Sequence, residues 1–211
     1  MRLYSGEKEI INWQKTTISE FAKLIGQNNQ DKPLVIAVDG RSAGGKTTLA
    51  KNLAIELNAA LLSTDDFAWW HSYFDWPEIL IPNGINPLVA GNGIDYTPDA
   101  WTAKSREGSI KAEPKDFIIV EGVGAAQKTM RAAVDVIIWV QSDEGLARER
   151  GINRDLAERP DVDEAIRFWN EWQSNEDPFQ AEQKTWEVAN FIVLGTPDYS
   201  KLESDELYLA P

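Results

Sequence analysis

The 211-residue sequence contains no cysteine, one histidine and two methionines. Without thiols there can be no disulfide, no thiolate metal site and no cysteine nucleophile. Long hydrophobic runs are missing as well. No apolar stretch approaches the roughly 18 residues that a membrane-spanning helix needs, and the N-terminus lacks the apolar core of a secretory signal. The expectation is a cytoplasmic protein with no membrane partner. Positive charge is scarce: 21 Lys and Arg stand against 34 Asp and Glu, a formal net charge of −13. That balance argues against a general nucleic-acid binder. Repeats, low-complexity tracts and Ser/Gly linkers do not occur, so one domain is expected over residues 1–211.

What is present suits a globular chain, with 43% apolar and 26% charged residues. Nine tryptophans are unusual. In "TTISEFAKLIG" the residues Ile18, Phe21, Ala22 and Ile25 share one helical face, Thr17 and Glu20 form a capping box, and Gly26 is a stop. "PLVIAVDG" is a short continuous apolar run bounded by Pro33 and Gly40, as in a strand buried on both faces. Leu49, Leu53 and Leu57 mark a helix over residues 46–57. "AALLSTDD", "DFIIVEG", "VDVIIWVQ" and "ANFIVLG" read as four further strands, and Ala165, Phe168, Trp169 and Trp172 mark a late helix. Strands alternating with helices predict an α/β fold: a five-stranded parallel sheet with helices on both faces.

Gly40, Gly45, Lys46 and Thr47 satisfy G-x-x-x-x-G-K-[ST]. Glycines admit backbone angles that let successive N–H groups converge on phosphate oxygens, and the following helix adds the positive end of its dipole. Four fixed positions recur by chance in fewer than roughly one in a hundred chains of this length. Here the motif also follows a predicted strand and opens a predicted helix, which is the context it requires. The nucleotide-binding set is therefore Gly40, Ala43, Gly44, Gly45, Lys46, Thr47 and Thr48. Lys46 would bridge the outer phosphates, and the Thr47 hydroxyl is placed for magnesium.

Two carboxylates, Asp65 and Asp66, follow the second strand, where open α/β sheets bind ligands. Either can accept the proton of an attacking hydroxyl; either can equally cap a helix or turn. Glu121 ends the third strand, in reach of a metal at the loop. Arg148, Arg150 and Arg154 follow the fourth strand, and Arg150 and Arg154 share a helical face, so residues 146–160 are read as a lid. Residues 66–113 hold Pro77, Pro82, Pro87 and Pro98 with many aromatics, a long irregular insertion read as the acceptor cover. Within it Asp66, Trp69, His71, Tyr96 and Trp101 are the acceptor-side candidates, with Trp70 as a further stacking ring. Trp139, Trp169 and Trp172 are read as core.

Together, "DGRSAGGKTTLA", "STDDF", "IIVEG" and "LARERGINRD" resemble, over roughly residues 34–195, the uridine kinase/phosphoribulokinase branch of P-loop kinases. The resemblance implies a P-loop NTPase fold and transfer of the γ-phosphate of ATP to a small-molecule hydroxyl with Mg²⁺. It implies Asp65, two residues before Phe67, as catalytic base, Glu121 as the metal-proximal acid, and Arg150 and Arg154, with Lys46, as phosphate-stabilising cations. The nucleoside-contacting pattern of the uridine kinases proper does not occur between Asp66 and Glu113, and the chain is closer to a uridine kinase-like group of small bacterial proteins. Three other readings share the loop: a kinase for a nucleoside monophosphate or other small metabolite, a slow or non-catalytic NTP-binding regulatory module, and a nucleotide-binding relic with a structural role.

Overall fold

The computed structural model describes residues 1–27, 33–157 and 160–211. Strand β1 (Gln14–Thr17) runs directly into helix α1 (Ile18–Gly26). The capping box is formed: Glu20 N donates to Thr17 Oγ1 and Thr17 N to Glu20 Oε2, each at 3.2 Å. Two amides at the helix start are satisfied reciprocally. Ile18, Phe21, Ala22 and Ile25 are its buried face.

Strand β2 (Leu34–Gly40) is buried at every position. Leu34, Ile36 and Val38 point into a core shared with α1 and with Leu49 and Leu53 of α2 (Lys46–Glu56). Val35 and Ala37 point to the opposite core. This two-sided burial is why the run is continuously apolar rather than alternating. After α2 come β3 (Ala60–Ser63) and the short α3 (Thr64–Ala68), so Asp65 and Asp66 sit on a helical first turn, one step past the strand they were read as ending.

The insertion folds as a unit. α4 (Pro77–Leu80) and α5 (Asn86–Val89) are joined by one π-helical turn over Ile81–Ile85, and β4 (Ile94–Tyr96) pairs antiparallel with β5 (Ile110–Ala112) around α6 (Asp99–Ala103). Trp76, Leu80, Ile85, Leu88 and Trp101 join Phe67 and the second face of the sheet in one core.

The chain continues through β6 (Phe117–Glu121), β7 (Val136–Gln141), α7 (Glu144–Asp155), α8 (Val162–Gln183), β8 (Phe191–Leu194) and β9 (Glu206–Leu209). The strand order is β1-β9-β8-β7-β2-β6-β3. From β8 to β3 every pairing is parallel, giving the five strands expected. β9 and β1 extend this sheet antiparallel at the β8 edge. The C-terminal tail "SKLESDELYLAP" therefore docks: Leu207 is buried while its neighbours stay on the rim, an apolar signal too short to announce a strand.

Helices α7 and α8 pack through a glycine. A Cβ on Gly151 would lie 1.7 Å from Cζ3 of Trp169, whose ring is 2% exposed. Gly151→Ala should therefore expel the indole and cost about 1–3 kcal/mol, as overpacking does. The check is a melting temperature lower by about 2–4 °C per kcal/mol.

Candidate active site

The phosphate loop is bent by its own glycines and supported from behind. Gly45 sits at φ 102, at the cap of α2, and a Cβ there would come 2.9 Å from the Gly195 carbonyl. Gly40 and Gly44 form the rear of the loop, against Val140 and Ser142. Gly44 N donates back to Arg41 O at 3.0 Å, closing the turn. Among the described residues, nothing accepts from the amides of Ala43, Gly45, Lys46, Thr47 or Thr48. These donors, with the α2 dipole behind them, form an anion nest.

One cleft of about 350 Å³ is lined by Ser42, Ala43, Gly45, Lys46, Thr47 and Thr48 on the loop side. Asp65, Glu121, Arg150 and Arg154 line it from other elements. Lys46, 6% exposed, donates to Arg41 O at 2.8 Å. Thr47 Oγ1 donates to Glu121 Oε2 at 3.0 Å, and Ser63 Oγ donates to Glu121 Oε1 at 3.0 Å. Arg150 Nη1 donates to Gly195 O at 3.1 Å, and its guanidinium lies 5.3 Å from the centroid of the Tyr199 ring. Arg154 Nη2 pairs with Asp155 Oδ1 at 2.9 Å. Four residues apart on α7, the two arginines reach the same cleft as their spacing predicts. Arg148 does not: it donates to Asn170 on α8. Residues 158 and 159 of the lid segment lie outside the described residues.

The acceptor-side candidates are placed differently, and none of the five lines this cleft. Asp66 Oδ1 holds Arg106 at 3.2 Å, and the Asp66 carbonyl accepts from Trp101 Nε1. Trp101 is 4% exposed and belongs to the insertion's core, with Arg106 stacked on its ring at 3.4 Å. Tyr96 stacks on Phe67, and His71 Nε2 lies 3.4 Å from Glu78. Trp69 and Trp70 remain half-exposed. For Trp101 the physical reason is burial: its ring fills the core shared by the insertion and the sheet. Trp139 and Trp169 are core as expected, whereas Trp172 is only half-buried.

Several site neighbours escaped the sequence reading. Ser63 and Tyr199 carried no motif. Asp39 did carry a signal, as the one charge inside an apolar strand. It is fully buried, and its Oδ1 accepts from Gly40 N, Gly124 N and Gln180 Nε2 at 2.7, 2.8 and 3.1 Å. Its Oδ2 accepts from Ala126 N at 3.1 Å and Thr185 Oγ1 at 3.4 Å. Burial pushes its carboxyl up from the ordinary value, against the pull of the Ala126, Gly124 and Gly40 amides. Asp39→Ala leaves those amides buried without acceptors and should destabilise the chain by at least about 2 kcal/mol, read from urea unfolding.

No cluster of three or more His, Asp or Glu side chains suited to a metal occurs among the described residues. The adjoining Thr47 hydroxyl and Glu121 carboxylate are hard oxygen donors of the sort Mg²⁺ takes, in small number, when phosphates complete its shell.

Comparison with known proteins finds relatives in sequence and in fold. A uridine kinase of Streptococcus thermophilus is 28% identical over 147 residues, covering 61% of this chain and 70% of that protein. A uridine kinase of Streptococcus gordonii is 28% identical over 149 residues, covering 62% and 71%. Among solved structures, a possible uridine kinase from Bacillus stearothermophilus superposes with a TM-score of 0.51 at 19% identity, covering 83% of this chain and 96% of that one. No protein-family model matches the chain. In sequence and in fold, the chain is similar to uridine kinase-like P-loop kinases.

Proposed function

We propose that the chain is an ATP- and Mg²⁺-dependent kinase that transfers the γ-phosphate to a hydroxyl of a small metabolite of the nucleoside type. The observation that supports this most is the cleft in which the open amides of the loop, Lys46, two arginines and two carboxylates, Asp65 and Glu121, come together. Uridine kinase is also the name borne by the relatives matched above.

The loop amides and Lys46 hold the triphosphate. Asp65 orients the acceptor hydroxyl and takes its proton as the new O–P bond forms and the bond from Pγ to the β-bridging oxygen breaks. Arg150 and Arg154 neutralise charge spread over the equatorial oxygens in flight. Thr47 and Glu121 would hold the metal, which when bound shields the β and γ oxygens. No covalent nucleophile is needed, which suits a chain without cysteine; positioning and electrostatics carry the rate.

A phosphorylated acceptor finds little welcome in the insertion. Of its three cations, Arg106 is held by Asp66 at 3.2 Å and Lys111 by Asp95 at 3.2 Å, which leaves the exposed Lys104. An unphosphorylated alcohol is the better fit.

An ADP-release screen over nucleosides, nucleotides, sugars and vitamin precursors identifies the acceptor, with Lys46→Ala, expected to be inactive, as blank. With that acceptor, Asp65→Asn should lower kcat by about 100-fold or more while ATP affinity stays within about threefold. Undiminished turnover in Asp65→Asn would remove the base from the scheme.

A further inference from the structure

Trp172 is where the phosphate loop and the acceptor cover meet. Its single indole N–H is shared between Ser42 Oγ at 2.6 Å and Glu176 Oε2 at 2.7 Å. Ser42 belongs to the phosphate loop and lines the cleft. Glu176, 1% exposed, turns its other oxygen to the same residue: Oε1 accepts from Ser42 N at 2.8 Å and from the Tyr4 hydroxyl at 2.7 Å. Ser42 is thus gripped at main chain and side chain by one carboxylate and one indole, both on α8.

The ring of the same indole meets the insertion. Tyr73 lies edge-on to it, centroids 5.4 Å apart at 80°, and Phe74 lies at 5.9 Å. Phe74 is fixed by stacking on Phe179 at 3.7 Å, and its carbonyl accepts from Gln127 Nε2 at 3.0 Å. Upstream stand the half-exposed Trp69 and Trp70, the latter at φ 61, a conformation that L residues rarely hold without cause. Trp69 N donates to Asp65 O at 3.1 Å, which ties this segment to the proposed base.

One proton cannot serve two oxygens fully. The shared N–H is a three-centre bond that can be drawn toward Ser42 or toward Glu176. A phosphate drawing on the Ser42 hydroxyl draws it toward Ser42, because a donating hydroxyl becomes a better acceptor. An element that one site biases and its neighbour feels is what coupling between them requires.

We propose that Trp172 is a positioning residue through which nucleotide in the phosphate loop sets the arrangement of residues 69–76, so that the acceptor side is formed only once the donor is seated. This rests on the reading of the cleft as an ATP site.

Hydrogen–deuterium exchange on the full chain, with and without Mg²⁺ and a non-hydrolysable ATP analogue, tests it. The analogue should slow exchange at residues 43–48 in the wild type, in Trp172→Phe and in Trp172→Leu. Exchange over residues 69–76 should change severalfold in the wild type alone. Trp172→Phe keeps a ring against Tyr73 and removes the N–H; Trp172→Leu removes ring and N–H together and serves if the first variant folds poorly. A purely structural role would lower the melting temperature and leave the ligand-dependent change over 69–76 intact. Protection at 43–48 with no change at 69–76 in the wild type, or with an undiminished change in both variants, overturns the coupling and spares the nucleotide reading. No protection at 43–48 in the wild type overturns both.

Discussion

A buried carboxylate with no ion pair among the described residues, Asp39, carries the architecture of this site. Asp39 gathers amides from Gly40 and from Gly124 and Ala126 beyond β6, an amide nitrogen from α8 and a hydroxyl just after α8. The donors come from the phosphate loop, from the turn after β6, and from α8 and the residues just beyond it. An unpaired buried carboxylate is expensive, and its cost falls only when all the donors are in place together. The chain therefore gains a strong preference for one mutual arrangement of the loop that meets phosphate, the turn that follows Glu121 and the helix that backs both. Pairing Asp39 with a lysine would offset the charge with far less geometric demand, because an ammonium is a point charge on a flexible stem.

The same constraint explains how a chain of net charge −13 can house a polyanion. Long-range attraction is weak or adverse, so the site relies on fixed, short-range donors. Open main-chain amides at the start of α2 are already oriented and pay no side-chain entropy when they bind. Lys46, Arg150 and Arg154 bring positive charge to the cleft from two different helices. Acids that lie near the loop are spent on other partners: Asp177 on Arg41 at 2.8 Å, Glu176 on Tyr4, Ser42 and Trp172. Local geometry overrides the global balance.

What could be read from the residues follows from range. The phosphate loop, the capping box at Thr17 and Glu20, and the five buried strands are local patterns in which spacing dictates contact, and the structure has all of them. Arg150 and Arg154 were legible for the same reason. The placement of Asp65 in the cleft came from its neighbourhood to β3 and from family resemblance, and the residue is among those lining the cleft. Where partners are distant in sequence the pattern fell silent. Nothing near Trp101 announces that its N–H will meet the Asp66 carbonyl, nor near β9 that it will pair with β1 across nearly the whole chain. Aromatic residues are the least legible of all, because the same ring suits a core and a ligand wall. Trp101 went to the core and Trp172 to a bridge, the reverse of what their surroundings suggested.

Helix α8 draws these threads into one mechanical element. Near its start Trp169 seats on Gly151 of α7, the helix that carries the cleft arginines. At its centre Trp172 touches both loop and insertion, and further on Glu176, Asp177 and Gln180 hold Ser42, Arg41 and Asp39. The periodicity of α8 puts residues 169, 172, 176 and 180 on one stripe, although Pro178 removes one bond of its backbone ladder before the last of them. Arginine helix, insertion and phosphate loop are thereby referenced to a common helix as well as to one another. In a phosphotransferase, the distance between acceptor oxygen and phosphorus must be held to a fraction of an ångström. Referring each part to one element keeps their errors from accumulating.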